Sequence, residues 1–113
     1  MTYDEALVAD VIDHLLAHDL DTVLKRYGPD SVLRIGNGDT HEGSAAIRAY
    51  FVDALAGAPP GADFVRHIET EADSRVVMRW QLLDRPEGTV IGRGEDHYRI
   101  DRGIIVEQVV SHH

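Results

Sequence analysis

The apolar residues of this sequence change their spacing halfway along the chain, from the repeat of amphipathic helices to the alternation of strands. The helical spacing predicts helices at 3–17, 19–27 and 45–56, with one short strand at 31–35. The alternation predicts a meander of four strands at 64–71, 75–83, 90–100 and 104–111. Helices gathered ahead of an antiparallel sheet indicate an α+β domain with the helices packed on one face of the sheet.

Polar and turn-forming residues mark the predicted ends of the second and third helices. Asp19 is predicted to cap the second helix, and Gly28 with Pro29 to end it. Ser44 is predicted to cap the third helix, and the segment 36–39 (Gly-Asn-Gly-Asp) has the composition of a turn.

Length and charge limit the classes of function. The 113 residues suffice for one domain, 1–113, with a single core. The formal net charge of -9 disfavours a nucleic acid or an anionic membrane as partner. The chain has no cysteine, which excludes thiolate chemistry and thiolate metal ligands. It also shows no signal-peptide pattern and no apolar run of membrane-spanning length, so we expect a cytoplasmic protein.

The predicted strand 90–100 has one charged face and one face that is apolar or small except for a single carboxyl group. That group belongs to Asp96, and Gly92 and Gly94 precede it on the same face. An unpaired buried carboxylate costs several kcal/mol, roughly, so the pKa of Asp96 should rise. The glycines leave space above the sheet, which suits a ligand beside a catalytic acid or base. The alternation alone favours equally a second interpretation, in which Asp96 is structural and the glycines only allow the sheet to bend.

Aromatic and thioether side chains near this strand favour an apolar pocket. Met78 and Trp80 share one face of the strand 75–83, and Tyr50 and Phe51 lie on the apolar side of the third helix. These four residues could line a cavity for a hydrophobic ligand, or they could simply form the core.

Four stretches together resemble a known family: DLD at 19–21, HEGSAAIR at 41–48, DHYRI at 96–100 and RGIIVE at 102–107. They are similar to stretches of the SnoaL-like polyketide cyclases and the ketosteroid isomerases, and the resemblance covers nearly the whole chain. It implies an NTF2-like cone, in which three N-terminal helices pack on a curved, mostly antiparallel sheet that encloses a pocket. Because this fold hosts many unrelated activities, the resemblance is specific for fold and weak for function.

The resemblance also implies roles for single residues. The Asp that matches Asp96 is the acid/base of an aldol closure in the cyclases and a protonated oxyanion-hole acid in the isomerases. Ile35 and Val11 stand near the positions of the isomerase general base and its tyrosine, so the isomerase mechanism does not transfer. If the last strand runs as in these families, Gln108, Val110 and His112 point inward. His112 is then either an acid/base near Asp96 or part of a frayed terminus.

These observations lead to three alternative functions. The first is a cofactor-free enzyme that performs acid/base chemistry on a hydrophobic carbonyl compound, with Asp96, Tyr98 and His112 as catalytic residues. The second is a non-catalytic binder of a hydrophobic small molecule, and the third is a structural dimer with a filled core. The predicted pocket residues are Trp80, Met78, Tyr50, Phe51, Gln108, Leu33, Ile35 and Val11.

We expect no metal site, because the sequence offers no set of three ligands with plausible spacing. We also expect a homodimer. The outer face of the sheet is predicted to present Ile91, Ile105 and Val109 among charged residues, and such an apolar patch is typical of an interface.

Overall fold

The computed structural model describes residues 1–36 and 38–113, and this part of the chain contains three helices and six strands. Asn37, in the predicted turn 36–39, lies outside the described residues. The elements follow the chain in this order: α1 Tyr3–Leu16, α2 Leu20–Leu24, β1 Tyr27–Ile35, β2 Thr40–Glu42, α3 Gly43–Ala56, β3 Asp63–Thr70, β4 Val76–Leu83, β5 Val90–Asp101 and β6 Ile104–His112.

The strands form one curved, open sheet in the order β2-β1-β6-β5-β4-β3. Strands β3 to β6 pair antiparallel with their chain neighbours, which confirms the predicted meander. Strand β1 pairs antiparallel with β2 and parallel with β6. The parallel pair joins the first and last strands of the chain, so residues far apart in sequence meet at the centre of the sheet.

Helix α1 begins at Tyr3, as its sequence predicts. The Thr2 hydroxyl accepts a hydrogen bond from the Glu5 amide, and the Glu5 carboxylate accepts one from the Thr2 amide, which forms a capping box. The apolar residues of α1 enter one core cluster with residues of α3 and of the sheet, among them Ile47, Phe51, Met78 and Tyr98.

The predicted second helix is too long. Helix α2 has its N-cap at Asp19, as expected, but it ends at Leu24, and Tyr27 already belongs to β1. Gly28 and Pro29 therefore lie inside a strand. Pro29 has no N–H for the ladder, and the pairing of β1 with β6 shifts register between Tyr27 and Val32. Ser31 bridges this irregular stretch, since its hydroxyl accepts from the Gly28 amide (2.8 Å) and donates to the Ile105 carbonyl (2.6 Å).

The start of the third helix also differs from the prediction. Residues 40–42 form strand β2, and α3 follows with Glu42 rather than Ser44 as its N-cap residue, without a side-chain capping bond. Gly43 has a φ of 83°, a conformation that glycine adopts at little cost and that lets the strand turn directly into the helix.

Ile105 belongs to the core and not to the outer face, so its predicted place at a dimer interface is wrong. It is fully buried and pairs with Ile100, which also packs against the core. Arg99 pairs with Glu107, whereas Ile100 pairs with Ile105, so Val106 is an extra residue in β6. Such a bulge reverses the alternation of side chains, and a period-two reading cannot anticipate it.

Candidate active site

Asp96 lies at the middle of the inner face of the sheet. Strand β5 runs between β4 and β6, and the cross-strand partners of Asp96 are Met78 and Val110. Both partners are buried in the core, and Asp96 itself is only 7% exposed. The alternation of β5 therefore places a carboxyl group where its neighbours in the sheet are apolar.

Three neutral groups donate hydrogen bonds to this carboxylate. The indole Nε1 of Trp80 donates to Oδ1 at 3.0 Å, and the amide Nε2 of Gln108 donates to Oδ2 at 2.9 Å. The Tyr98 hydroxyl donates to Oδ2 over a longer distance of 3.4 Å. Hydrogen bonds from neutral donors stabilise the ionised form without cancelling its charge.

Burial raises the pKa of Asp96 above the ordinary value of an aspartate. The hydrogen bonds from Trp80, Gln108 and Tyr98, followed by the nearby His112, oppose this rise without reversing it. The carboxyl group therefore exchanges its proton closer to neutral pH than an exposed aspartate does.

A second layer of the site was not predicted. The hydroxyl of Tyr27, on β1, donates a hydrogen bond to Oε1 of Gln108, and both side chains are buried. Burial, together with the charge of Asp96, raises the pKa of Tyr27 and of Tyr98 well above the ordinary value, so both phenols remain donors. No sequence signal pairs Tyr27 with Gln108. Pro29 disfavours helical backbone only at Gly28, the residue directly before it.

The space above Gly94 is occupied. A Cβ atom on Gly94 would lie 2.6 Å from Cζ2 of Trp80 and closer still to the backbone oxygen of Ser111. Above Gly92 the nearest side chain is Leu82, at an ordinary 3.5 Å. The expectation that both glycines leave open room is therefore wrong at Gly94, where glycine lets the indole lie against the strand and reach Asp96.

Trp80 connects the buried site to the edge of the inner face. Its ring stacks on Phe64 (5.9 Å between centroids) and meets the ring of the exposed His112 edge-on (5.5 Å). Next to Trp80 on β3, Arg66 forms an ion pair with Asp13 of α1 at 2.7 Å. An indole ring, two other rings and one ion pair thus border the site on this side.

The predicted pocket residues fall into two groups. Five of them are buried in the interior, each no more than 4% exposed: Val11, Leu33, Phe51, Met78 and the polar Gln108. Ile35, Tyr50 and Trp80 are partly exposed and pack against that core. Burial, and after it the charge of Asp96, raises the pKa of Tyr50 on helix α3.

Asp96 lines neither of two solvent-open depressions on the described part of the chain. The larger lies mainly on the outer face, among Val65, His67, Gln81 and Arg93. The smaller is bordered by Ile35, Gly36, Ser111 and His112. An enclosed pocket at Asp96 therefore stays a prediction.

The described part of the chain lacks two kinds of feature, a cluster of metal ligands and a membrane-spanning helix. No three histidine, aspartate or glutamate side chains lie close enough together there to hold a metal ion. No helix combines the length and the apolar character that crossing a bilayer requires.

Comparison with known proteins identifies the fold. A protein of Shewanella denitrificans, provisionally assigned as a SnoaL-like polyketide cyclase, shares 24% identity at a TM-score of 0.75 over 99% of this chain and 92% of its own. A protein of Shewanella putrefaciens with the same provisional assignment shares 22% identity at a TM-score of 0.76, over 99% of this chain and 80% of its own. A de novo designed protein with a curved β-sheet reaches a TM-score of 0.78 at 16% identity, over 100% of this chain and 88% of its own.

Such similarities show the NTF2-like fold and leave the activity open, since a designed scaffold matches as well as natural proteins do. No curated protein matches the chain. The family model described as "SnoaL-like domain" matches residues 8–108. Because that match spans most of the sequence, the chain belongs to the SnoaL-like domain family.

Proposed function

We propose that this protein is a cofactor-independent enzyme that moves a proton on a hydrophobic, carbonyl-bearing substrate, with Asp96 as the acid/base. The observation that carries the proposal is the environment of Asp96: a buried carboxylate that only neutral side chains hydrogen-bond. Burial raises the pKa of this group, which brings it nearer the range in which a general base is effective. The provisional assignment of the two Shewanella proteins as polyketide cyclases agrees with a carbonyl substrate.

The proposed reaction begins when the Asp96 carboxylate removes a proton from the carbon next to a carbonyl group. The electron pair of the broken C–H bond forms a C=C bond, and the π pair of the carbonyl group moves onto its oxygen, so that an enolate results. Tyr98 is a suitable donor to this oxygen, because its bond to Asp96 is long, at 3.4 Å, and its pKa is raised well above the ordinary value. Return of the proton from Asp96 to another carbon of the enolate gives isomerisation, and return to the same carbon gives only hydrogen exchange. In cyclisation the enolate carbon forms a C–C bond with a second carbonyl carbon, and the resulting alkoxide oxygen takes the proton from Asp96.

In this proposal the substrate enters beside Trp80. The smaller depression is bordered by Ile35 and His112, and the ring of His112 contacts the Trp80 ring. Trp80 must turn away from Gly94 to free one oxygen of Asp96 for the substrate. His112 then stands at the opening, where it can relay the proton to solvent.

A second candidate function is binding without turnover. The specific observation in its favour is that Trp80 already occupies the space over Gly94 and donates to Asp96. A carboxylate that keeps three donors is well suited to stay ionised and fixed, as a binding group would.

Proton exchange at carbon distinguishes the two functions without knowledge of the natural substrate. We expect the protein to speed deuterium uptake from D2O into the α-carbons of aryl ketones and 1,3-diketones, followed by proton NMR. Asp96→Asn should lower this rate by roughly a hundredfold or more. Glu95→Gln, on the next residue and the opposite face, is the matched control and should leave the rate unchanged. Binding of the ketones without Asp96-dependent exchange would favour the binder.

We also propose that the protein is a homodimer that uses the outer face of the sheet. Val65 is 47% exposed on that face and Val109 is partly covered, while Ile91, the extra residue of a bulge in β5, is 46% exposed. Apolar groups of this kind among charged residues are typical of a self-associating surface. Sedimentation equilibrium at micromolar concentration should give twice the monomer mass of 12.5 kDa, and a monomer would contradict the proposal.

A further inference from the structure

Tyr27 is two hydrogen bonds away from Asp96. Its hydroxyl donates to Oε1 of Gln108, and Nε2 of the same amide donates to Oδ2 of Asp96 at 2.9 Å. Tyr27 is 5% exposed, and its ring packs edge-on against Phe51 at 5.7 Å. The hydroxyl is therefore held in place behind Gln108, on the side away from the carboxylate.

The two ends of the Gln108 amide are chemically opposite, so its orientation decides what Asp96 meets. An ionised carboxylate only accepts hydrogen bonds, and the NH2 end of the amide only donates them. If the amide were reversed, its oxygen would face the Asp96 carboxylate and its NH2 would face Tyr27. Tyr27 opposes this reversal because its O–H donor needs an oxygen, and the raised pKa of Tyr27 keeps that donor protonated.

We propose that Tyr27 is a positioning residue for Asp96, which acts by fixing the Gln108 amide with its NH2 group toward the carboxylate. The importance of Tyr27 for catalysis rests on the proposed function. Its effect on the proton affinity of Asp96 does not, and that effect can be measured without any substrate. Tyr27 makes no hydrogen bond to Asp96, and in the proposed reaction it does not touch the substrate. Its effect on Asp96 must therefore pass through Gln108.

Other groups also face Asp96, and the experiment must separate them from Tyr27. They come from every element around the carboxylate: Tyr98 on β5, Trp80 on β4, Gln108 and His112 on β6, Tyr27 on β1 and Tyr50 on α3. Histidine is the one residue type among them whose reference pKa lies near neutral pH. We therefore place all variants in a His112→Gln background, so that the transition observed belongs to Asp96.

Trp80 makes the measurement direct, because it is the one tryptophan in the sequence and its Nε1 donates to Asp96 Oδ1. Protonation of Asp96 removes a charged acceptor from the indole, so a pH titration of fluorescence reports the midpoint for Asp96. Adding Asp96→Asn should abolish the transition, which identifies it. In Tyr27→Phe we expect the midpoint to rise by about half a pH unit to one unit, since the amide donor is no longer held and polarised.

Gln108→Leu tests whether Tyr27 acts on Asp96 through the Gln108 amide. It should raise the midpoint at least as much as Tyr27→Phe, and the double variant should match Gln108→Leu alone. An unmoved midpoint in a folded Tyr27→Phe protein would overturn the proposal. It would also be overturned if Tyr27→Phe raised the midpoint equally with and without Gln108, because Tyr27 would then act by another route.

A second measurement covers the case in which Tyr27→Phe fails to fold. In 15N-labelled protein with the native Tyr27, the side-chain NH2 signals of Gln108 should shift with the same midpoint as the fluorescence of Trp80. If they do not respond, the amide does not face the carboxylate and the proposal is wrong. The proposed function is tested separately. A protein that does not exchange α-protons, but whose Trp80 fluorescence and Gln108 NH2 signals share one pH midpoint, would contradict the proposed enzyme activity and support the positioning role of Tyr27.

Discussion

Glu95 and Asp96 are consecutive residues of β5 whose carboxyl groups have opposite pKa shifts. Glu95 points to the outer face, where His97 and Arg79 each contact it at 3.1 Å and lower its pKa, His97 having the larger effect. Asp96 points to the inner face, where burial raises its pKa. The chemical difference between the two side chains is one methylene group, so the face of the sheet decides their behaviour.

The surroundings of the two groups differ in kind. On the outer face, Arg79 lies at the centre of an exposed network and also contacts Glu69 and Glu71. Cations there meet carboxylates in water, where the gain from each ion pair is small and salt screens it. On the inner face, neutral donors hold one charge in a protected environment. The charge of Asp96 is therefore sensitive to any change in the side chains that pack over it on the inner face.

Gly94→Ala should have the largest effect on stability, because it forces the inner face apart. The added Cβ would meet Cζ2 of Trp80 at 2.6 Å and the backbone of Ser111, and overpacking of this kind costs about 1–3 kcal/mol. Gly92→Ala is the matched control, since its Cβ meets Leu82 at an ordinary 3.5 Å and should change stability by no more than about 0.5 kcal/mol. Urea unfolding measures both. Equal effects of the two variants would show that both the Trp80 ring and the Ser111 backbone can move to admit the added Cβ atom.

Asp96→Asn should have an intermediate effect, and one that depends on pH. Because the folded-state pKa of Asp96 is raised, its contribution to stability is present below the ordinary aspartate pKa and is lost as pH rises through the folded value. At neutral pH the Asn variant should therefore melt no lower than wild type, and its relative advantage should shrink as the pH falls. A variant that melts several degrees lower, yet keeps full exchange activity or ketone affinity, would show that Asp96 only holds the fold.

Glu95→Gln should have the smallest effect and the opposite sign. The pKa of Glu95 is lowered, so its contribution is present above the ordinary glutamate pKa and is lost as pH falls through the folded value. The Gln variant should melt slightly below wild type at neutral pH, and the difference should disappear in acid and decrease in added salt. Thermal melts at two salt concentrations check this. A difference that salt does not change would mean that Glu95 acts through packing rather than through charge.

The sequence by itself determined the α+β order of elements, the meander of β3 to β6 and the inward direction of Asp96. These features depend on spacing within single segments, where alternation assigns each side chain to a face. The same reasoning placed Met78 and Trp80 correctly beside Asp96 on the neighbouring strand, because adjacent antiparallel strands of a meander share their faces.

The features that only the tertiary structure decided all depend on contacts between distant segments. Tyr27 reaches Gln108 because β1 pairs parallel with β6, and no local pattern encodes that pairing. Ile105 turns into the core because Val106 is an extra residue in the pairing of β6 with β5. Trp80 fills the space over Gly94 because a glycine leaves a gap on its strand that a side chain of a neighbouring strand can occupy. Alternation gives the direction of a side chain, but the atoms that it meets depend on register and packing.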